Sequence, residues 1–288
     1  MTSFAAFTTS TNSIQAHALG ESLESLTPTP TAIGVIEVED GSGTWEVGAY
    51  FSERPDLAGL ALLATLNGVG DFVISRIDDR DWVAQVRREL HPVDAGRFTV
   101  YGAHDIHRIG ENRIGLRIEA AMAFGTGHHG TTRGCLTLLD RLGQRGWRPR
   151  RVADIGCGTG VLAMAAAKLW RVTCVATDID PQAVATTREN MSANGVAPLV
   201  RVGCAIGFRH DALRATAPFD LIFANILAGP LKRMAADFAE HVSPGGNVIL
   251  SGLLTTQAPG VEAIFRGHGF RRTDRVRLGE WTSLLLQR

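Results

Sequence analysis

The sequence predicts an α/β protein: a mostly parallel, doubly wound sheet with an antiparallel edge hairpin, preceded by a small α+β unit. Three observations carry this. From Arg151 onward, short β-rich runs alternate with helix-like segments, the pattern of parallel strands joined by crossover helices. A glycine-rich turn, "DIGCGTG" (Asp154–Gly160), stands between the first of these runs and the helix after it. Upstream, two β-rich runs flank "EDGSG", a strong hairpin turn. A chain of 288 residues with 45% hydrophobic content has room for two domains.

The N-terminal elements follow in order. "SIQAHALGESLESL" has helical spacing and ends before Pro28; Ala32–Val38 and Thr44–Phe51 form the hairpin; "DLAGLALLATL" is an apolar helix opened by Pro55 and stopped by Asn67 and Gly68; "DFVISRI" is a further strand. Helix, hairpin, helix and strand make a unit of ferredoxin-like plan. It carries no catalytic cluster, so recognition and plain scaffolding are its two available roles. Asp78–Leu90 then reads as a connecting helix closed by His91-Pro92. The expected division is therefore an N-terminal domain over 1–77, a linker helix over 78–95 and a second domain over 96–288.

In the second domain two short β-like runs follow Arg97, and Thr131–Leu142 is a helix with Leu136, Leu139 and Leu142 at helical spacing. The strands "RVADIG", "VTCVATD", "LVRVG", "FDLIFAN" and "NVILSG" then alternate with the helices "VLAMAAAKLW", "PQAVATTRENMSANG" and "LKRMAADFAEHV". The last two runs, "FRRTDRVRLG" and "EWTSLLLQR", have no helix between them and pair antiparallel at one edge.

Composition narrows the function. The 29 basic and 29 acidic side chains cancel, so no global field draws the chain to nucleic acid or anionic lipid, although a local basic patch remains open. Direct nucleic-acid and membrane partners are not expected. Cys135, Cys157, Cys174 and Cys204 lack metal-ligand spacing, which argues against a zinc site or a disulfide framework. No apolar run reaches the ~20 residues of a membrane helix, and the Ser/Thr-rich start lacks targeting features. A reduced, cytoplasmic setting is expected.

The turn Asp154–Gly160 lies where a doubly wound sheet binds its ligand. A dinucleotide fingerprint is G-x-G-x-x-G; here Gly156, Gly158 and Gly160 alternate, and Val161 takes the place of the third glycine. No Walker-type lysine follows. An adenosyl cofactor without pyrophosphate suits the turn, and Asp154-x-Gly-x-Gly-x-Gly resembles the first motif of the S-adenosylmethionine-dependent methyltransferases. A tight turn without a ligand is the alternative. Asp178 ends the second strand in "ATDIDP", where a carboxylate can accept from both ribose hydroxyls. Asp180, just before Pro181, reads as a helix cap. Asn225 ends the fourth strand: it either caps the next helix or presents its carboxamide oxygen to an incoming amine.

Taken together, "AFGTGHHGTT", "DIGCGTGVLA", "TDIDPQAV", "NILAGPL", "SPGG", "LSGLL" and "GEW" resemble the PrmA family of ribosomal protein methyltransferases, which acts on large-subunit ribosomal protein eleven. The resemblance covers nearly all of the second domain. It implies a class I S-adenosylmethionine-dependent methyltransferase fold (Rossmann-like), S-adenosyl-L-methionine as cofactor, and lysine ε-amines and an N-terminal α-amine as acceptors. It places cofactor contacts at Thr132, Gly156, Asp178 and Asn225, with Asp154 and Gly158 in the same motif, and makes Asn225 the catalytic residue. Ala123–Thr132 would close over the cofactor, with Gly125 and Gly127 as its flexible points. The chain departs from the family's "GTGTHPTT": His128 replaces Thr and Gly130 replaces Pro, which implies a looser loop. His129 matches the family's histidine and has a structural or a proton-handling role. Two rival readings stay open, a protein-lysine methyltransferase acting on another protein and a nicotinamide-dependent oxidoreductase.

Overall fold

The computed structural model describes residues 2–30, 32–37, 43–78, 92–118 and 130–288. The chain divides into two compact units, Met1–Arg88 and Glu89–Arg288.

The first unit runs β1 (Thr2–Ser10), α1 (Ser13–Leu23), β2 (Ala32–Glu37), β3 (Trp45–Phe51), α2 (Leu57–Leu66) and β4 (Val73–Asp78). Its sheet has the order β2-β3-β1-β4 with every neighbouring pair antiparallel, the connectivity of two interleaved β-α-β units. Both helices begin at side-chain caps. The Asn12 carboxamide oxygen accepts from the amides of Ile14 and Gln15 at 2.9 and 3.3 Å, and Asp56 accepts from the Ala58 amide at 3.0 Å. Leu19, Leu23, Val47, Phe51 and Leu60 form the core between helices and sheet.

Strand β1 has no counterpart in the elements read from the sequence, yet it occupies an inner position between β3 and β4. Its buried residues are small or hydroxylated, Ala5, Ala6, Thr8 and Ser10. The hydroxyls are satisfied: Thr8 Oγ1 donates to the Gly70 carbonyl at 2.6 Å and Ser10 Oγ to that of Asn12 at 3.1 Å. Burial of a hydroxyl is tolerated on those terms.

The second unit opens with a three-stranded sheet, β5 (Val93–Ala95), β6 (Phe98–Tyr101) and β7 (Ile114–Arg117), with β5–β6 antiparallel and β6–β7 parallel. The expected linker helix falls largely on 79–91, outside the described residues. At its margins Asp78 belongs to β4, and Val93–Ala95 is a strand of the second unit.

After α3 (Gly130–Gln144) come β8 (Arg151–Ile155), α4 (Val161–Trp170), β9 (Thr173–Asp178), α5 (Pro181–Ala193), β10 (Val200–Cys204), α6 (Asp211–Thr216) and β11 (Phe219–Asn225). Two short helices, α7 (Ala228–Arg233) and α8 (Ala235–His241), lead to β12 (Val242–Leu254), α9 (Ala258–Gly267), β13 (Arg271–Leu278) and β14 (Trp281–Gln287). The single helix read over Leu231–Val242 is thus two helices meeting at Met234. The turn there brings the Met234 thioether to Gly207, whose missing side chain leaves the room it fills.

The main sheet has the order β10-β9-β8-β11-β12-β14-β13. Its first five strands are parallel; β14 runs antiparallel to β12, and β13 completes the edge hairpin. One face packs against α3 and α4 through Leu136, Leu139, Leu162 and Ala166; the other packs against α6 to α9 through Leu213, Leu231, Phe238 and Phe265. The strand order reverses between β8 and β11. At such a switch point the crossover helices leave on opposite faces and open a crevice at the carboxyl ends of the strands.

Candidate active site

That crevice is a cavity of about 700 Å³, bordered by Asp154, Gly156, Gly158, Asp178 and Asn225 among others. Five of the six residues singled out from the sequence therefore face one space. The sixth, Thr132, lies just behind the wall: it is fully buried, and its neighbour Thr131 borders the cavity instead.

The floor is the turn between β8 and α4. Gly156, Gly158 and Gly160 have φ of +73°, +55° and +77°, a region that strains residues with a Cβ. A Cβ on Gly156 would also run into the Ile226 side chain. The turn is closed by the Gly156 and Cys157 amides, which donate to the Thr177 carbonyl at 2.8 and 3.0 Å. Thr187 Oγ1 donates to the Gly158 carbonyl at 2.7 Å. Backbone with no side chain of its own at Gly156 and Gly158 is thereby presented to the cavity.

Asp178 sits at the end of β9, and its carboxylate is held from both sides. The Gly158 amide donates to Oδ2 at 2.8 Å and the Asp180 amide to Oδ1 at 3.0 Å. Each oxygen keeps a further lone pair for a ligand hydroxyl. Asp180 caps α5, accepting from the Gln182 amide at 2.8 Å, and Pro181 opens the helix. Asp180 is thus the helix cap read from the sequence, while Asp178 borders the cavity.

Asp154 is 1% exposed and accepts from the Ala163 amide at 3.0 Å. Burial pushes its carboxyl from 3.8 up to about 7; the Ala163 amide opposes the rise and the Asp178 charge adds to it. No cation among the described residues pairs with it.

The folded state of the free protein binds this proton more tightly than the unfolded chain does. Asp154 therefore favours the fold fully only at low pH, and the contribution is lost as pH rises toward 7. Asp154→Asn keeps the acceptor and removes the charge. It is expected to stabilise the ligand-free protein by roughly 1–3 kcal/mol at pH 8 and to leave it unchanged at pH 4. Thermal unfolding at the two pH values checks this.

Asn225, at the end of β11, donates from Nδ2 to Thr132 Oγ1 at 3.4 Å, which leaves its carboxamide oxygen for the cavity. It is not a helix cap: α7 begins after Leu227 and has no side-chain cap bond. The remaining wall includes Ile179, Ile206 and Leu227, exposed at 64%, 60% and 73%. Sequence reasoning passed over these three. Their signal is an isoleucine or leucine placed within two residues of a strand's carboxyl end, where the chain is too short to reach the core.

Gly130 lies in the first turn of α3, and a Cβ there would crowd the Leu278 carbonyl oxygen at 3.1 Å and Trp281 at 3.2 Å. The start of the helix thus lies close against the edge hairpin. Gly125, Gly127, His128 and His129 lie outside the described residues. Among the described residues, no cluster of three His, Cys, Asp or Glu side chains is placed to hold a metal. No described helix is long and apolar enough to cross a membrane.

A sequence model of the ribosomal protein L11 methyltransferase (PrmA) family matches residues 9–288. The chain belongs to the ribosomal protein L11 methyltransferase family. A family relative from Rhodopseudomonas palustris is 49% identical over 259 residues, covering 88% of this chain and 87% of its own. Another from Bradyrhizobium diazoefficiens is 45% identical over 262 residues, covering 89% and 88%. Among solved structures, a ribosomal protein L11 methylase from Lactobacillus delbrueckii subsp. bulgaricus superimposes with a TM-score of 0.60 at 28% identity. That match takes in 69% of this chain and 99% of the other. The sheet order, the glycine turn and the rim asparagine described above are thus features of a family member, and the rival oxidoreductase reading falls away.

Proposed function

We propose that the chain transfers methyl groups from S-adenosyl-L-methionine to amines of large-subunit ribosomal protein eleven, lysine ε-amines and the N-terminal α-amine, in the cytoplasm. The observation that carries the reading is the joint placement of Asp178 and Asn225 on one cavity, on either side of the glycine turn.

The residues present suit this cofactor. Backbone at Gly156 and Gly158 admits the close approach of a ligand, the Asp178 carboxylate accepts from ribose hydroxyls, Ile179 and Ile206 offer apolar faces for a purine, and Asp154 offers a partner for an ammonium. When bound, the cofactor supplies an electrophilic methyl group on a sulfonium.

The protein's share of the chemistry is positional. A lysine amine has an ordinary pKa of about 10.4 and is protonated at neutral pH, and an apolar surrounding disfavours that ammonium form. The rim residues Leu227 and Pro230 provide such a surrounding for the acceptor's methylene stem. The Asn225 oxygen accepts one amine N–H and so aims the nitrogen lone pair along the line of displacement, an effect of orientation rather than of proton transfer. The N-terminal unit we assign to gripping the protein substrate. Its helix α2 leaves Leu62 and Leu66, one turn apart on one face, exposed, an apolar pair of the kind that protein partners cover.

The test is incubation of the purified chain with isotope-labelled S-adenosylmethionine and ribosomal protein eleven, read by intact-mass and peptide mass spectrometry. Mass increments of one methyl each on amine-bearing residues are expected. Cofactor binding without labelled product would reassign the substrate to another protein.

A further inference from the structure

The first turn of α3 is fastened to the sheet by buried side chains that bonding to substrate or cofactor does not require. Asn225 on β11 and Ser251 on β12 are register partners, and Ser283 on β14 comes within 2.7 Å of Ser251, Oγ to Oγ. Ser251 Oγ donates to the Thr131 carbonyl at 3.1 Å, and Ser283 Oγ lies 3.4 Å from the same oxygen. With one proton on each hydroxyl, one serine donates to the carbonyl while the other donates to its neighbour. The next residue along the helix, Thr132, receives Nδ2 of Asn225 on its own hydroxyl.

These hydroxyls are deeply placed. Ser251 and Thr132 are 0% exposed and Ser283 1%, with Leu250 and Leu284 of the core as chain neighbours of the two serines. Alanine at either serine would satisfy packing without desolvating a hydroxyl. The backbone is shaped around them as well: a Cβ on Gly134 would collide with Ser283 Oγ, so glycine at that point lets the helix sit down on the strand. A glycine, two serines and a threonine all serve one turn, and that turn holds the amide nitrogen of Asn225.

The two ends of a carboxamide have nearly the same shape and opposite chemistry. With its oxygen toward the cavity, Asn225 accepts an amine N–H and leaves the lone pair free. Flipped, it would donate to that lone pair and block attack. We propose that Ser251 and Ser283 are positioning residues for methyl transfer: by clamping the Thr131 carbonyl they hold the first turn of α3, and with it the Thr132 hydroxyl that receives Asn225 Nδ2, so that the Asn225 side chain is held at the rim in the conformation that meets the acceptor. The inference rests on the assignment of Asn225 as the amine-orienting group.

The experiment uses the full chain with ribosomal protein eleven and S-adenosylmethionine. It compares Ser251→Ala, Ser283→Ala, the double variant, Thr132→Val, Thr132→Ser and Asn225→Ala. For each, kcat and KM are measured, together with the Kd for S-adenosylhomocysteine by calorimetry and thermal unfolding to confirm a folded protein. The double serine variant and Thr132→Val are expected to lose about tenfold in kcat, the weight of one oriented hydrogen bond. KM and Kd should stay within about twofold, and Thr132→Ser should recover the kcat that Thr132→Val loses. Unchanged kcat in the serine variants and Thr132→Val, with Asn225→Ala inactive, overturns this inference alone. Cofactor affinity falling in step with kcat also overturns it, since the clamp would then be shaping the cofactor site. Full activity of Asn225→Ala overturns the assignment beneath it as well. Should the double variant fail to fold, the two single serine variants, read beside the Thr132→Val and Thr132→Ser pair, decide.

Discussion

Asn225→Ala is expected to lower kcat for methyl transfer by about two to three orders of magnitude and to change the Kd for S-adenosylhomocysteine by less than about threefold. The separation follows from where Asn225 stands. Its backbone is fixed by pairing with Ser251 at the end of a strand buried from Leu221 to Ala224, so truncating the side chain does not reshape the wall. What is lost is the acceptor that selects one rotation of the amine, and the effect of such a group is confined to the step in which the lone pair must meet the methyl in line. Asn225→Asp sharpens the test. A carboxylate there would hold the acceptor better as an ammonium and raise its pKa. Acceptor binding is then expected to be retained or strengthened while kcat stays low. Steady-state kinetics with ribosomal protein eleven, alongside calorimetry on the cofactor product, separates the two effects.

The contrast between Asn225 and β1 shows what a sequence reveals and what it does not. Asn225, Asp178 and the glycine turn were legible because each sits at the carboxyl end of an apolar run too hydrophobic to be anything but a buried parallel strand. The ends of those runs fix where the rim is. Strand β1, "TSFAAFTTS", was not legible, because an inner strand usually advertises itself with large β-branched residues. This one buries Ala5, Ala6 and the hydroxyls of Thr8 and Ser10, and the partner of Thr8, the Gly70 carbonyl, is distant in sequence.

The break at Met234 was hidden for the opposite reason. Leu231–Val242 keeps a helical spacing across the turn, and only the packing of Met234 on Gly207 reveals it. Thr132 marks the boundary between the two kinds of case. Its motif was readable, but its burial behind Asn225, with Thr131 taking the place on the cavity wall, depends on how α3 sits on β12 and β14.

Asp178→Ala has the reverse kinetic signature: cofactor Kd is expected to rise about 100-fold, with kcat at saturating cofactor within about threefold of the parent. On the proposed ribose contact, two charge-assisted hydrogen bonds would be removed, each contributing roughly 1.5 kcal/mol to binding, and neither would touch the reacting atoms. Part of the loss comes through the floor of the site, since the Gly158 amide gives up its acceptor along with the Asp180 amide. Asp178→Asn separates the contributions, because its carboxamide oxygen still accepts from one amide but carries no charge; an intermediate Kd is expected. The substitution also reaches Asp154, whose carboxyl is held up first by burial and further by the Asp178 charge. With that charge gone, Asp154 ionises at lower pH, and the pH below which cofactor affinity weakens should move down in Asp178→Ala relative to the parent. Calorimetric titrations across pH 5–8 measure both effects. A weakened Kd with an unmoved pH profile would mean that the ribose contact is real but that the two carboxylates do not share one electrostatic site.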